Sequence, residues 1–258
     1  MTSHQAHPRP RPPRARRRVR PLAAALPLAA LLLAATGCSS RQAEKLDAVC
    51  AVVLDGSGSG SAANGFDAKA KLDATIVPFM KEQHCRSLAY APITSSSKAS
   101  PCHANDVNLD PATESTDDVE AIRHEARVQA VLAAHTMLAC AQKTNGGSDV
   151  LGGIARAAET LGARDGRRAL LVVSDFEQYD PEFGLTAKSI ATPEARTKSV
   201  DKLMASRGVP PITGMDVFPV GYGMNRKAKP SEFEPFDAFW TEILTKRGKA
   251  RVHDDYRR

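Results

Sequence analysis

Asp55, Ser57 and Ser59 stand at i, i+2 and i+4 within Val49–Ser61, which reads V-C-A-V-V-L-D-G-S-G-S-G-S. One carboxylate and two hydroxyls at that spacing are hard oxygen donors of the kind Mg²⁺ or Mn²⁺ takes. The interleaved glycines let the backbone curl tightly enough for the three side chains to converge. A Gly/Ser stretch also has a plain reading as a linker. Here it follows an apolar, valine-rich run directly and precedes an amphipathic pattern, whereas a linker more often joins two complete domains.

Two more places offer oxygen donors. Arg168–Ser174 is a second apolar run, and it ends in Asp175. Gly146-Gly147-Ser148-Asp149 opens a helical pattern. Taken singly, Asp175 reads equally well as a turn residue, and Ser148 as the N-cap of the helix that follows.

The elements around these donors alternate. Short apolar runs at Val49–Leu54, Ser87–Ile93, Arg168–Ser174 and Met215–Val220 predict buried strands. Pro101–Leu109 is a weaker strand candidate, and Ala250–Arg258 a short edge strand. Helices are expected over Phe66–Gln83, Asp117–Lys143, Asp149–Leu161, Pro193–Ser206 and Phe236–Lys246. Pro78 should kink or break the first of these. The apolar side of the second is expected from Val119, Ile122, Ala126, Val128, Val131, Leu132, His135 and Leu138. The fold class is α/β: a doubly wound, mainly parallel sheet with helices on both faces and one antiparallel edge strand. Ligands of such sheets bind beyond the carboxyl ends of the strands, at the switch point of strand order. Asp55, Ser57, Ser59, Ser148 and Asp175 would then meet there from three loops.

With those residues in place, the chain resembles the von Willebrand factor type A domain and its metal-ion-dependent adhesion site. The D-x-S-x-S of Asp55, Ser57 and Ser59 and the strand-end Asp175 match that family's pattern. Ser148 departs from it, standing where threonine is usual; Thr144 is a weaker substitute. The resemblance implies that Ser57, Ser59 and Ser148 contact Mg²⁺ or Mn²⁺ directly, while Asp55 and Asp175 act largely through water. It implies an open coordination position for a carboxylate from a protein or peptide partner. It also implies coupling to the last helix, here Phe236–Lys246.

The net charge of +6 is concentrated at the start of the chain. Residues 1–37 hold seven arginines and no acid, which leaves 28 Lys and Arg against 29 Asp and Glu in the remainder. No polybasic run is left for phosphates, so a nucleic-acid partner is not expected. The basic leader runs into the Ala/Leu stretch Pro21–Thr36, which is shorter than the roughly 20 residues that span a bilayer. Ala35-Thr36-Gly37 ahead of Cys38 resembles a bacterial lipobox. Residues 1–37 are therefore expected to be a lipoprotein signal peptide, Cys38 the lipidated residue, 38–46 a tether and 47–255 the domain. That places the domain at the outer face of the cytoplasmic membrane, in the cell envelope.

Four cysteines remain, an even number in an exported domain, which favours disulfides. Spacing alone allows three pairings. Strand topology puts Cys50 and Cys85 at one end of the sheet and Cys102 and Cys140 at the other, so Cys50–Cys85 and Cys102–Cys140 are expected. His84-Cys85 with Cys102-His103 is a weaker zinc reading. Glu177, Asp180 and Glu182 read as a solvated loop, with an acidic rim or a second cation site as weaker readings.

The expected function is a membrane-tethered binding module, not an enzyme. One alternative is a metal-dependent phosphohydrolase of haloacid-dehalogenase-like type. That chemistry uses a second Asp two residues after the first, where this chain has Ser57, and no catalytic Lys motif is evident. The other alternative is a structural module of the same fold that holds no metal.

Overall fold

Runs of valine, alanine and leucine with no interior charge form strands that can be buried on both faces. In the computed structural model, which describes residues 45–58, 66–114, 116–144, 146–162, 164–254 and 256, they are buried in this way. Strand β1 spans Ala48–Asp55 and helix α1 Ala68–Glu82; β2 spans Cys85–Ile93 and β3 only Val107–Asn108. Helix α2 (Val119–Gln142) and helix α3 (Val150–Leu161) follow, then β4 (Arg167–Val173). A four-residue helix α4 (Ala187–Ile190) precedes α5 (Pro193–Arg207) and β5 (Asp216–Val220). Helix α6 (Pro230–Thr241) runs on as a π-helical segment, Glu242–Arg247, and β6 (Arg251–Val252) closes the order. The expected leader 1–37, Cys38 and the tether as far as residue 44 lie outside the described residues, as does Ser59.

The six strands form one sheet in the order β3-β2-β1-β4-β5-β6. All neighbours are parallel except β3, which pairs antiparallel with β2 at the edge. The order reverses between β1 and β4, so the switch point lies beyond Asp55 and Val173. Strand side chains alternate between two cores. Val49, Ala51, Val53, Leu170 and Val172 pack with α3, α5 and α6. Cys50, Val52, Leu54, Leu171 and Val173 pack with α1 and α2. The protein is a doubly wound α/β sheet.

Several local expectations are corrected. Helix α1 is not broken at Pro78. The hydrogen bond lost there is offset by burial of Phe79 and Met80 just beyond it. The stretch 101–109 forms only the two-residue β3. The Arg156 guanidinium instead donates to the carbonyls of Ser97, Ser100 and Cys102 at 3.0, 2.8 and 2.8 Å, satisfying backbone a strand would otherwise pair. On α2, Val128 and Leu132 are exposed, and the buried stripe is Arg123, Arg127, Ala130, Ala134, Met137, Leu138 and Ala141. Alanines let the helix approach the sheet closely, which a count of apolar bulk misses. Helix α6 starts six residues earlier than expected, with Pro230 at its first position, where proline's missing N–H is harmless.

Disulfides join Cys50 to Cys85 and Cys102 to Cys140. With Cys85 and Cys102, the one cysteine of each His-Cys pair, both oxidised to cystine, the zinc reading of those residues fails.

Candidate metal centre at the sheet switch point

Asp55 is the last residue of β1 and is fully buried. Its two carboxylate oxygens have separate donors. The Ser57 amide donates to Oδ1 at 2.9 Å, closing the tight turn that the Gly56-Ser57 sequence allows. The Ser174 hydroxyl, one residue beyond β4, donates to Oδ2 at 2.6 Å. Gly56 is required here: a Cβ would come within 2.3 Å of the Ala141 Cβ near the end of α2. Burial pushes the Asp55 carboxyl above its ordinary range, opposed by hydrogen bonds from Ser174 and from the Ser57 hydroxyl and amide. The nearby Ser148 hydroxyl exerts the weakest of these opposing pulls.

Ser148 reaches the site through a short antiparallel bridge to Tyr179. The Ser148 amide donates to the Tyr179 carbonyl, and the Tyr179 amide donates back at 2.9 Å. The N-cap of α3 is the next residue, Asp149, whose carboxylate accepts from the Gly152 amide at 3.1 Å. Ser148 is therefore not the cap. Its Oγ is buried and makes no hydrogen bond of normal geometry among the described residues. Thr144, the weaker substitute, is engaged elsewhere, donating to the Ala141 carbonyl at 2.6 Å.

Asp175 is buried two residues beyond β4. Its Oδ1 accepts from the Glu177 amide and its Oδ2 from the Asn225 side-chain amide, each at 3.0 Å. Phe176, next in the chain, adopts φ 64°, a left-handed conformation unusual for a bulky residue. The Trp240 indole of α6 holds it there, donating to its carbonyl at 3.1 Å. Such over-determined strain is found at sites that need a fixed geometry.

The rest of the acidic segment is not an open rim. Glu177 forms a bidentate pair with Arg226, at 2.5 and 2.7 Å. Arg207 binds Asp180 at 2.8 Å and Glu182 at 2.6 Å, and also approaches Asp149 at 3.3 Å. Gln178 joins Asp149 to Asp180. These pairs lock the Ser148 and Asp175 loops to one another.

Asp55, Ser57, Ser148 and Asp175 thus lie on three loops at one end of the sheet. Sequence reasoning missed Ser174 and Asn225, which orient the two aspartates. Ser174 had a signal, standing beside Asp175 at the strand end; Asn225 had none. The donor set is carboxylate and hydroxyl oxygen, the chemistry of a hard cation, and among the described residues the buried Ser148 hydroxyl lacks the well-formed hydrogen bond such an atom normally has.

The fold and this polar cluster define an α/β protein with a candidate site at its strand-order switch. No protein-family model and no curated protein matches the chain. Among solved structures it is similar to the human COPII-coat protein Sec24c, with 11% identity and a TM-score of 0.36. That match covers 85% of this chain and 31% of that one.

Proposed function

We propose that the chain is an exported, lipid-tethered binding module of von Willebrand factor type A kind. It engages a protein or peptide partner through a Mg²⁺- or Mn²⁺-dependent adhesion site. The observation that carries the reading is the buried Ser148 hydroxyl, which makes no hydrogen bond of normal geometry among the described residues and pulls only weakly on buried Asp55 beside it. Ser57, Ser59 and Ser148 would hold the cation through their hydroxyls, with Asp55 and Asp175 supplying charge. The bound cation would supply an electrophilic position for a carboxylate of the partner. The protein's own part is to keep the five groups preorganised. Ser174 and Asn225 orient the carboxylates, and the Trp240 contact holds the Asp175 loop. The two disulfides fit an oxidising compartment, in keeping with a lipidated Cys38 and a place at the outer face of the cytoplasmic membrane.

Calorimetric titration of Mg²⁺ and Mn²⁺ into the protein, beside Asp55→Asn, tests the site. Saturable binding lost in the variant supports it, and pull-downs with acidic peptides in the presence and absence of chelator then test the partner. No saturable heat in the parent, with or without an acidic peptide, refutes the adhesion reading.

A further inference from the structure

Arg127 is the buried charge that the switch-point site leaves unexplained. It lies on α2 with 8% of its surface exposed. One terminal nitrogen pairs with Glu120, a carboxylate that is itself largely in solvent. Its Nε is buried and has no hydrogen-bond partner among the described residues. A buried N–H without an acceptor is destabilising and calls for one.

Arg127 lines a cavity of about 200 Å³ together with Lys81, Arg123, Glu120, Leu46 and Met80. Arg123 is also buried, and its Nε and one terminal nitrogen donate to Asp110 at 3.0 and 2.6 Å. Lys81, exposed in the last turn of α1, makes no ion pair among the described residues. Three cations therefore line this small space; Arg123 and Arg127 are each paired with a carboxylate, Asp110 and Glu120, and Lys81 is left as the excess charge among the described residues. A water would satisfy Nε but would not balance the Lys81 charge. A compact oxyanion does both, and guanidinium with ammonium suits phosphate. Leu46 and Met80 give the cavity an apolar side for the group that carries it.

The cavity lies at the far end of the sheet from Asp55. Leu46 precedes β1 and Cys85, another lining residue, opens β2. The eight residues of β1 separate the two ends by roughly 25 Å. We propose that this cavity is a second binding site, for a phosphate group on a small organic moiety such as a glycerol phosphate, either free or as a lipid headgroup. It does not depend on the adhesion site.

The test is calorimetry on the full chain with disulfides intact and a chelator present, using inorganic phosphate and glycerol 3-phosphate as probes. Saturable binding is expected, weakened at least about tenfold in Lys81→Ala and lost in Arg127→Met. Lys81→Ala changes an exposed side chain, so the test survives if Arg127→Met fails to fold. Absence of saturable binding for both probes, or equal affinity in parent and Lys81→Ala, overturns the proposal and leaves Arg127 with a water only. Sedimentation with phosphatidylglycerol vesicles, against phosphatidylcholine alone, separates the sources. Retention displaced by glycerol 3-phosphate assigns the headgroup; soluble binding without retention assigns a free phosphate compound.

Discussion

Ser174 Oγ donates to Asp55 Oδ2 at 2.6 Å, across the boundary between β1 and β4 where the strand order reverses. Both residues are fully buried. The Ser174 oxygen also accepts from the Phe176 amide at 2.9 Å, so one hydroxyl ties the first aspartate to the backbone that follows the second. Removing it in Ser174→Ala leaves a buried carboxylate oxygen without its donor. The expected loss is about 1–3 kcal/mol of unfolding free energy, measured by urea denaturation. An unchanged midpoint would show that the bond contributes nothing.

Ser148→Ala is expected to behave in the opposite way. Its Oγ makes no hydrogen bond of normal geometry among the described residues and pulls only weakly on Asp55, so stability in chelator should change by no more than about 0.5 kcal/mol. If the hydroxyl holds a cation, Mg²⁺ and Mn²⁺ affinity should fall sharply in the same variant. Thermal melts with and without metal check both halves. A stability loss in chelator equal to that of Ser174→Ala would assign the hydroxyl a structural bond.

If the site holds a cation, Asn225→Ala should weaken its binding through Asp175 while leaving the sheet intact. The Asn225 amide donates to Asp175 Oδ2 from the segment between β5 and α6. A several-fold rise in the dissociation constant is expected, corresponding to about 1–2 kcal/mol for a hydrogen bond to a charged group. Calorimetry with an unchanged far-ultraviolet circular dichroism spectrum reads it. Unaltered affinity would detach Asn225 from the site.

Asp216 makes a pH prediction. Burial raises its pKa, but hydrogen bonds from Arg251 and His253 outweigh that and hold the carboxyl down to about 2. A depressed carboxyl contributes stability that is fully present above its unfolded value of 3.8 and is lost as pH falls toward 2. The contribution is on the order of 1 kcal/mol, because Arg251 is half-exposed and its pairing is screened. Urea midpoints between these pH values should therefore fall less steeply in Arg251→Gln than in the parent. Equal slopes would remove Asp216 from the acid transition.

Reduction of the disulfides should destabilise the protein substantially. Each closes a loop of 35 or 38 residues, for which chain entropy suggests about 3–4 kcal/mol. Denaturation of Cys102→Ser/Cys140→Ser and of Cys50→Ser/Cys85→Ser, each against the oxidised parent, checks the two separately. A shift below about 1 kcal/mol in either would show strain offsetting the entropy.

What the sequence by itself determined was the framework. Runs such as Val49–Leu54 and Arg168–Val173 have too little polarity for any place but a sheet buried on both faces. Acids and glycines immediately beyond them mark the chain's exit toward the switch point. Those signals are local, arising from side-chain type, spacing and backbone freedom within a few residues. Tertiary structure decided which neighbours the local pieces meet. It buried Arg123 and Arg127 on α2 and left Val128 and Leu132 exposed, because alanine-lined approach to the sheet set the helix's rotation. It made Asp149, not Ser148, the cap of α3, and so left the Ser148 hydroxyl with no hydrogen bond of normal geometry among the described residues. It brought Ser174 and Asn225 to the two aspartates across separations of 119 and 50 residues. Contacts at such range depend on strand order and register, which spacing along the chain does not encode.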